Sequence, residues 1–255
     1  MSQPPGADEN DRLKAAKDRI IRTIENLSIF DVVSDEEAGV ITFLDVLGWK
    51  GIYAREEAPL EKMFGLIDKI TTAASRHKSE FPLEVRSISD TIVLYSTNVT
   101  AEKITAAMDT HGQVCAKAIA ESIYANIPVR GATAVGQFEV KDNIYVGKAI
   151  DEAASWYGSA DWIGVHLTPS AMFAVDGNLS HWAIYEPPVK GMPKHRVPCV
   201  AWVEAWRETV PPGQDPRKQL LSMFTDMGPI TPDFAMKFVN TLAHFDDITA
   251  RQEQK

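Results

Sequence analysis

A chain of 255 residues with 45% hydrophobic and 24% charged residues suits one substantial globular domain, which buries roughly 70–75% of its unfolded surface, and excludes a largely disordered or collagenous protein. Lys and Arg number 26 against 35 Asp and Glu, a net charge of −9, so neither a nucleic acid polymer nor an anionic membrane is an expected partner. A small polyanion stays open to such a chain only where divalent cations intervene.

Residues 1–37 read as a polar leader and an N-terminal helix, with Leu13, Ala16, Ile20, Ile24 and Leu27 at helical spacing. The leader lacks the apolar core of a signal peptide, and no run of about 18 apolar residues occurs in the chain. Cys115 and Cys199 form no CxxC pair and have no neighbouring His pair. They suggest neither disulfide nor zinc, and a cytoplasmic location is expected. Residues 39–46 read as a buried strand that ends in a turn over 48–51. Pro59 opens a helix carrying Leu60, Met63, Phe64, Ile67 and Ile70 on one face. Strands over 83–88 and 91–95 are separated only by Ser89 and Asp90, the mark of a tight hairpin. A long helix follows over 101–124, striped by Ile104, Met108, Cys115, Ile119 and Ile123. Next come a strand over 129–138, a second towards Tyr145, a helix over 147–157, a strand over 162–167 and a β region reaching about Trp206. Residues 211–216 read as a linker, and two helices broken near Pro229 and Pro232 complete the chain. The division is thus leader 1–37, central domain 38–210 and helical extension 211–255. The order βα-ββ-αβ predicts an α+β fold, a ferredoxin-like split βαβ sheet with helices on one face.

Two acidic residues stand out. Asp45 sits near the end of an otherwise apolar strand, where an isolated carboxylate costs several kcal/mol, so a partner or a cation is required. Asp90 occupies a hairpin tip. Taken singly, the first also reads as a turn cap and the second as a turn former. In a hairpin adjacent to the first strand, however, the two positions converge. Two carboxylates with a backbone carbonyl from Val46, in the turn after Asp45, make a hard oxygen site suited to Mg²⁺. Two such ions about 3.5–4 Å apart clamp the attacking and leaving oxygens of a phosphoryl transfer.

The segments Phe43-Leu-Asp-Val-Leu-Gly-Trp49, Arg86-Ser-Ile-Ser-Asp90, Val129-Arg-Gly-Ala132 and Gly147-Lys-Ala-Ile-Asp-Glu-Ala-Ala154 together resemble the class III nucleotidyl cyclase catalytic domain over about residues 38–170. The resemblance implies that Asp45 and Asp90 hold two Mg²⁺ or Mn²⁺ ions, which bind the triphosphate and activate the ribose 3′-hydroxyl. It also implies a head-to-tail homodimer with its sites at the interface, Arg86 then serving the partner's nucleotide. The N-terminal helix and the tail are candidate dimer elements.

The departures from that family are specific. Where purine cyclases carry a base-selecting Lys, this chain has Arg86, and the second purine-reading position is Ile144. The Asn and Arg that contact ribose and stabilise the transition state align with Asp151 and Ser155. In these respects the chain is most similar to the pyrimidine cyclases of bacterial Pycsar antiphage systems. That similarity implies UTP as substrate, with CTP as the alternative, and cyclic UMP or cyclic CMP as a second messenger for an effector protein. An adenylate or guanylate cyclase and a non-catalytic nucleotide-binding module are the remaining readings. Uracil is favoured because it presents two carbonyl acceptors to an Arg that supplies only donors.

Four further residues carry two readings each. Trp49 either walls the base or lids the hairpin, and Lys50 either touches phosphate or is solvated. Arg130 either replaces the missing clamp or makes a strand-edge ion pair. Lys148, at a helix start, either adds charge for phosphate or is a surface lysine. The six histidines show no metal-like spacing.

Overall fold

The computed structural model describes residues 38–54, 56–77, 82–191, 194–227 and 231–253; the N-terminal helix expected over the leader lies outside them. Strand β1 (Ala38–Val46) is apolar almost throughout because both of its faces are covered. Val40 and Leu44 belong to a large core with Met63, Leu66 and Ile70 of helix α1 (Pro59–Ser75) and Ile104, Met108, Cys115 and Ile119 of α2 (Ile104–Tyr124). Ile41 and Phe43 point the other way, onto Ala149, Ile150 and Ala153 of α3 (Lys148–Tyr157). The expectation of helices on one face is thus corrected: α3 covers the second.

The main sheet runs β2 (Glu84–Ile88), β3 (Thr91–Val99), β1, β4 (Val129–Gly136), β7 (Val165–Leu167), β9 (Val197–Val200), β8 (Trp182–Tyr185). Both β1 and β2 run antiparallel to β3, so they are parallel to each other with β3 between them, the split βαβ arrangement predicted from element order. Among the described residues only β4 and β7 pair in parallel. Beyond β4 the chain forms a separate hairpin, β5 (Glu139–Lys141) with β6 (Ile144–Val146). The expected strand over 129–138 therefore stops at Gly136. Gly147 then starts α3 at φ 141°, and a Cβ there would lie 2.5 Å from both Gln137 O and Phe138 Cα, so no side chain fits.

Three other expectations change. In α1 the buried stripe is Met63, Leu66, Ile70 and Ala74, while Leu60 and Phe64 are 47% and 68% exposed, because spacings of three and four hold a narrower face than the full apolar set. Strand β7 is shorter than expected, with residues 162–164 in the loop before it. The β region reaching Trp206 is interrupted by α4 (Pro169–Phe173) and ends in α5 (Val203–Thr209), where Val203 and Trp206 are buried at helical spacing.

The last two helices pack on this same body. Asp215 caps α6 (Pro216–Asp226) by accepting the N–H groups of Arg217 and Lys218. Leu220 and Phe224 of α6 and Phe238, Phe245 and Ile248 of α7 (Pro232–Glu253) join the large core. Beneath α2, His111 is fully buried and held by Thr42 Oγ1 at 2.9 Å and Ser96 Oγ at 3.2 Å, with Thr42 bonded to Thr133 at 2.7 Å. Every member of this polar set has a partner, as burial requires.

Candidate active site

The paired strands bring Asp45 and Asp90 to one corner. In register, Asp45 faces Thr91 of β3 on one side and Arg130 of β4 on the other. Asp90 is the residue before Thr91, in a two-residue turn whose Ser89 takes a left-handed φ of 56°. The turn after β1 is stapled in place: Val46 N–H donates to Asp90 O at 3.0 Å and Leu47 N–H to Pro128 O at 2.8 Å. The hairpin tip and the end of the first strand are therefore adjacent, as the sequence predicts.

Electrostatics at the corner are tense. Burial raises the Asp45 carboxyl above the usual carboxylate range, Arg130 pulls it back, and the charge of Asp90 pushes it up again. Arg130 Nε donates to Asp45 Oδ2 at 3.1 Å, with both side chains about one-sixth exposed. Arg130 Nη1 donates to Gly158 O at 2.8 Å and Ala160 O at 2.9 Å. Two neighbouring carboxylates that repel each other match the hard donor set of a Mg²⁺ or Mn²⁺ site. No group of three or more His, Cys, Asp or Glu able to hold a metal occurs among the described residues, so any ion here would keep water or substrate ligands.

The other singled-out residues are placed as follows. Arg86 lies on the same sheet face as Asp45, two strands away, opposite Val93. It is exposed, 3.4 Å from Glu84, and its charge is favoured by hydrogen bonding to Tyr95 and then by Glu84. Tyr95 meets Tyr145 edge-on at 6.0 Å, and the buried Tyr145 hydroxyl has no hydrogen-bond partner among the described residues. Ile144, next to it, is 69% exposed. Trp49 packs against the large core on the α1–α2 side, which favours its lid reading. Lys50, Lys148 and Asp151 are exposed, and Lys148 lines an open groove with Phe138, Val146 and Gly147. Arg130 makes the ion pair, but from an interior strand.

Three contributors escaped the sequence reading. The carbonyls of Gly158 and Ala160 carry no side-chain signal, and Tyr145 read only as a strand residue. A cavity of about 740 Å³ lined by Lys69, Arg76, Lys117, His181 and Glu204 belongs to the α1, α2 and α5 layer and includes none of Asp45, Asp90 or Arg130. Among the described residues no helix is long and apolar enough to cross a membrane.

No protein-family model and no curated protein matches the chain. Solved structures similar to it include the catalytic core of a rhodopsin-guanylyl cyclase with converted specificity in complex with ATPalphaS, at 17% identity and TM-score 0.47, covering 65% of this chain and 96% of that one. The guanylate cyclase domain of RhGC from Catenaria anguillulae with GTP is similar at 16% identity and TM-score 0.45, covering 65% and 96%. A bacterial light-regulated adenylyl cyclase is similar at 14% identity and TM-score 0.43, covering 75% and 98%.

Proposed function

We propose that this chain is a nucleotidyl cyclase that converts UTP to 3′,5′-cyclic UMP and pyrophosphate. The observation that carries the reading is the corner where Asp45 and Asp90 meet on a split βαβ sheet, in the order and spacing of the cyclase motifs. In the reaction the ribose 3′-oxygen bonds to the α-phosphorus, the bond from that phosphorus to the pyrophosphate oxygen breaks, and the hydroxyl proton passes to solvent. Two Mg²⁺ or Mn²⁺ ions, when bound, supply the lowered hydroxyl pKa and the neutralisation of phosphate charge. Asp45, Asp90 and the Val46 carbonyl are the groups that would hold them. Arg130 keeps the Asp45 carboxylate oriented and its charge balanced.

Base choice rests on Arg86. Its donors, beside Tyr95 and Tyr145, suit the carbonyl acceptors of uracil better than cytosine, which offers an amino donor. In a head-to-tail homodimer this cluster would face the partner's nucleotide. Ile88, Ile144 and Val146, exposed by 43%, 69% and 59% on the two hairpins that frame Arg86, supply apolar surface for such contact. The cyclic product would act as a second messenger for an effector protein in antiphage defence, a role that rests on the motif resemblance.

One observation favours a second reading, a nucleotide-binding regulatory module. Asp151 and Ser155 are exposed on α3, and the Ser155 hydroxyl donates to Asp151 O, so neither supplies a cation to the transition state. Incubating the purified chain with each of the four triphosphates and Mn²⁺, with products identified by mass, separates the readings. Cyclic UMP is the expected product. A purine product overturns the base assignment, and metal-dependent nucleotide binding without turnover favours the module.

A further inference from the structure

The cavity of about 740 Å³ lined by α1, α2 and α5 lies on the face of the sheet opposite Asp45. Leu44 points into the core shared with α1 and α2, whereas Asp45, one residue on, shares the other face with Phe43. The volume is that of a site for a drug-sized ligand, and the proposed cyclisation makes no use of it.

The walls differ in charge. On the α1–α2 side Lys69 Nζ donates to Glu121 Oε2 at 2.6 Å and Lys117 Nζ lies 2.8 Å from Glu121 Oε1, so two ammonium groups share one buried carboxylate. Arg76, at the end of α1 and two turns from Lys69, lines the same side. Against these three cations stand Glu121 and the exposed Asp68, which leaves the wall with positive charge in excess. Both lysines reach solvent, at 52% and 40% of their side chains, and each ammonium has N–H donors beyond the one given to Glu121. The α5 wall carries Glu204 and Glu208, one turn apart, with Glu204 paired to Arg207 at 3.0 Å. Ala73, Val114, Ala116, Ala201 and Ala205 also line the cavity, short side chains on which a flat ring can lie. His181 completes the polar set: its Nδ1 meets Asp109 Oδ2 at 3.0 Å and its backbone N–H donates to Asp109 Oδ1 at 2.8 Å. A carboxylate on Nδ1 fixes the proton there and makes Nε2 the acceptor of the neutral ring.

We propose that this cavity is a second nucleotide site, which takes a nucleoside monophosphate without a divalent cation. The phosphate meets Arg76 through its two-armed fork and Lys69 and Lys117 as point charges. The flat base lies on the alanines and Val114. Hydroxyl and N–H donors of the sugar and base are accepted by Glu204, Glu208 and His181 Nε2. Cations on one wall and acceptors on the other call for a ligand with an anion at one end and donors at the other. The assignment is independent of Asp45 and Asp90, whose carboxylates would meet phosphate only through a metal ion.

The test is calorimetric titration of the full chain with uridine 5′-monophosphate in EDTA, which removes metal-dependent binding at the catalytic corner. Saturable binding with a Kd below about 1 mM is expected. Arg76→Ala and Lys117→Ala are each expected to weaken it about tenfold or more, as loss of a hydrogen bond to a charged group does, while Asp45→Asn binds as the parent does. No saturable binding by the parent chain, binding undiminished in Arg76→Ala and Lys117→Ala, or binding lost in Asp45→Asn overturns the proposal. Inorganic phosphate is titrated in parallel, and binding as tight as that of the nucleotide overturns the nucleotide assignment. Should Lys117→Ala unsettle the contact of α1 with α2, Arg76→Ala, which leaves Glu121 and both lysines in place, decides.

Discussion

Asp45 and Arg130 face each other directly across β1 and β4, and the 3.1 Å bond between them places the charge of a central-sheet arginine on the carboxylate of the neighbouring strand. The pair lies at the end of the strand, where Asp90 also arrives. Arg130 thus balances the charge of Asp45, and Asp90 brings a second carboxylate to the same corner.

Removing either carboxylate tests the chemistry. Asp45→Asn or Asp90→Asn is expected to lower cyclic nucleotide formation by at least about 10³-fold, since metal positioning contributes several kcal/mol of transition-state stabilisation. The fold should persist, because burial already disfavours the charged form of Asp45. Product formation by mass together with thermal unfolding checks both halves, and near-parental turnover in either variant would falsify the assignment.

Arg130→Leu leaves Asp45 without its counter-charge and orphans the carbonyls of Gly158 and Ala160. The expected loss is about 2–3 kcal/mol, less than for a fully buried pair because both side chains retain some solvent contact. Urea titration measures it. A change under about 0.5 kcal/mol would place the pair among ordinary surface contacts.

Stability should fall in mild acid. Burial lowers His111 to about 3, His166 to about 4, with His195 adding to it, and His244 to about 3, with Arg251 adding to it, all from 6.5. Each is neutral in the folded chain, whereas the unfolded chain takes up protons near 6.5, so stability is full above that pH. It drops below it, until each folded value is reached. Three such groups give up to about 4 kcal/mol per pH unit between 6 and 4. Asp45, raised in the folded state, opposes this slightly by taking its proton earlier there than in the unfolded chain. A urea midpoint that is unchanged from pH 7 to pH 5 would contradict the prediction. His244→Phe, inside a box of Trp162, Tyr185 and Trp202, should reduce the slope by about one proton.

Gly131→Ala probes the approach of β4 to β1. A Cβ there would lie 2.2 Å from Phe43 O and 2.9 Å from Leu44 Cδ2, and the backbone oxygen cannot step aside without parting the strands. A loss of at least about 2–3 kcal/mol is expected, with Arg130 drawn off Asp45. Unchanged thermal unfolding would mean that the strands separate more easily than this packing implies.

Much of the fold was legible because it is local. The apolar run around Leu44, the two-residue gap at Ser89 and Asp90, and the stripe from Ile104 to Ile123 each fix an element by spacing alone, and their order determines the split βαβ sheet. That Asp45 and Asp90 lie near each other was legible too, since a hairpin tip next to the first strand leaves them little room to diverge. The α5 helix was misread as strand because Trp202, Val203 and Trp206 are bulky and apolar enough to satisfy either period over so short a run.

What the sequence determined by itself was the order of the first strands and helices and the two carboxylates. Only the tertiary structure decided how their charge is managed. Arg130 lies 85 positions from Asp45 and Lys237 lies 76 from Asp161; no periodicity links residues so far apart. Their meeting depends on strand register and on α7 packing back over the sheet. A carboxylate announces its chemistry in the sequence, but its counter-charge is chosen by whatever the fold brings within reach.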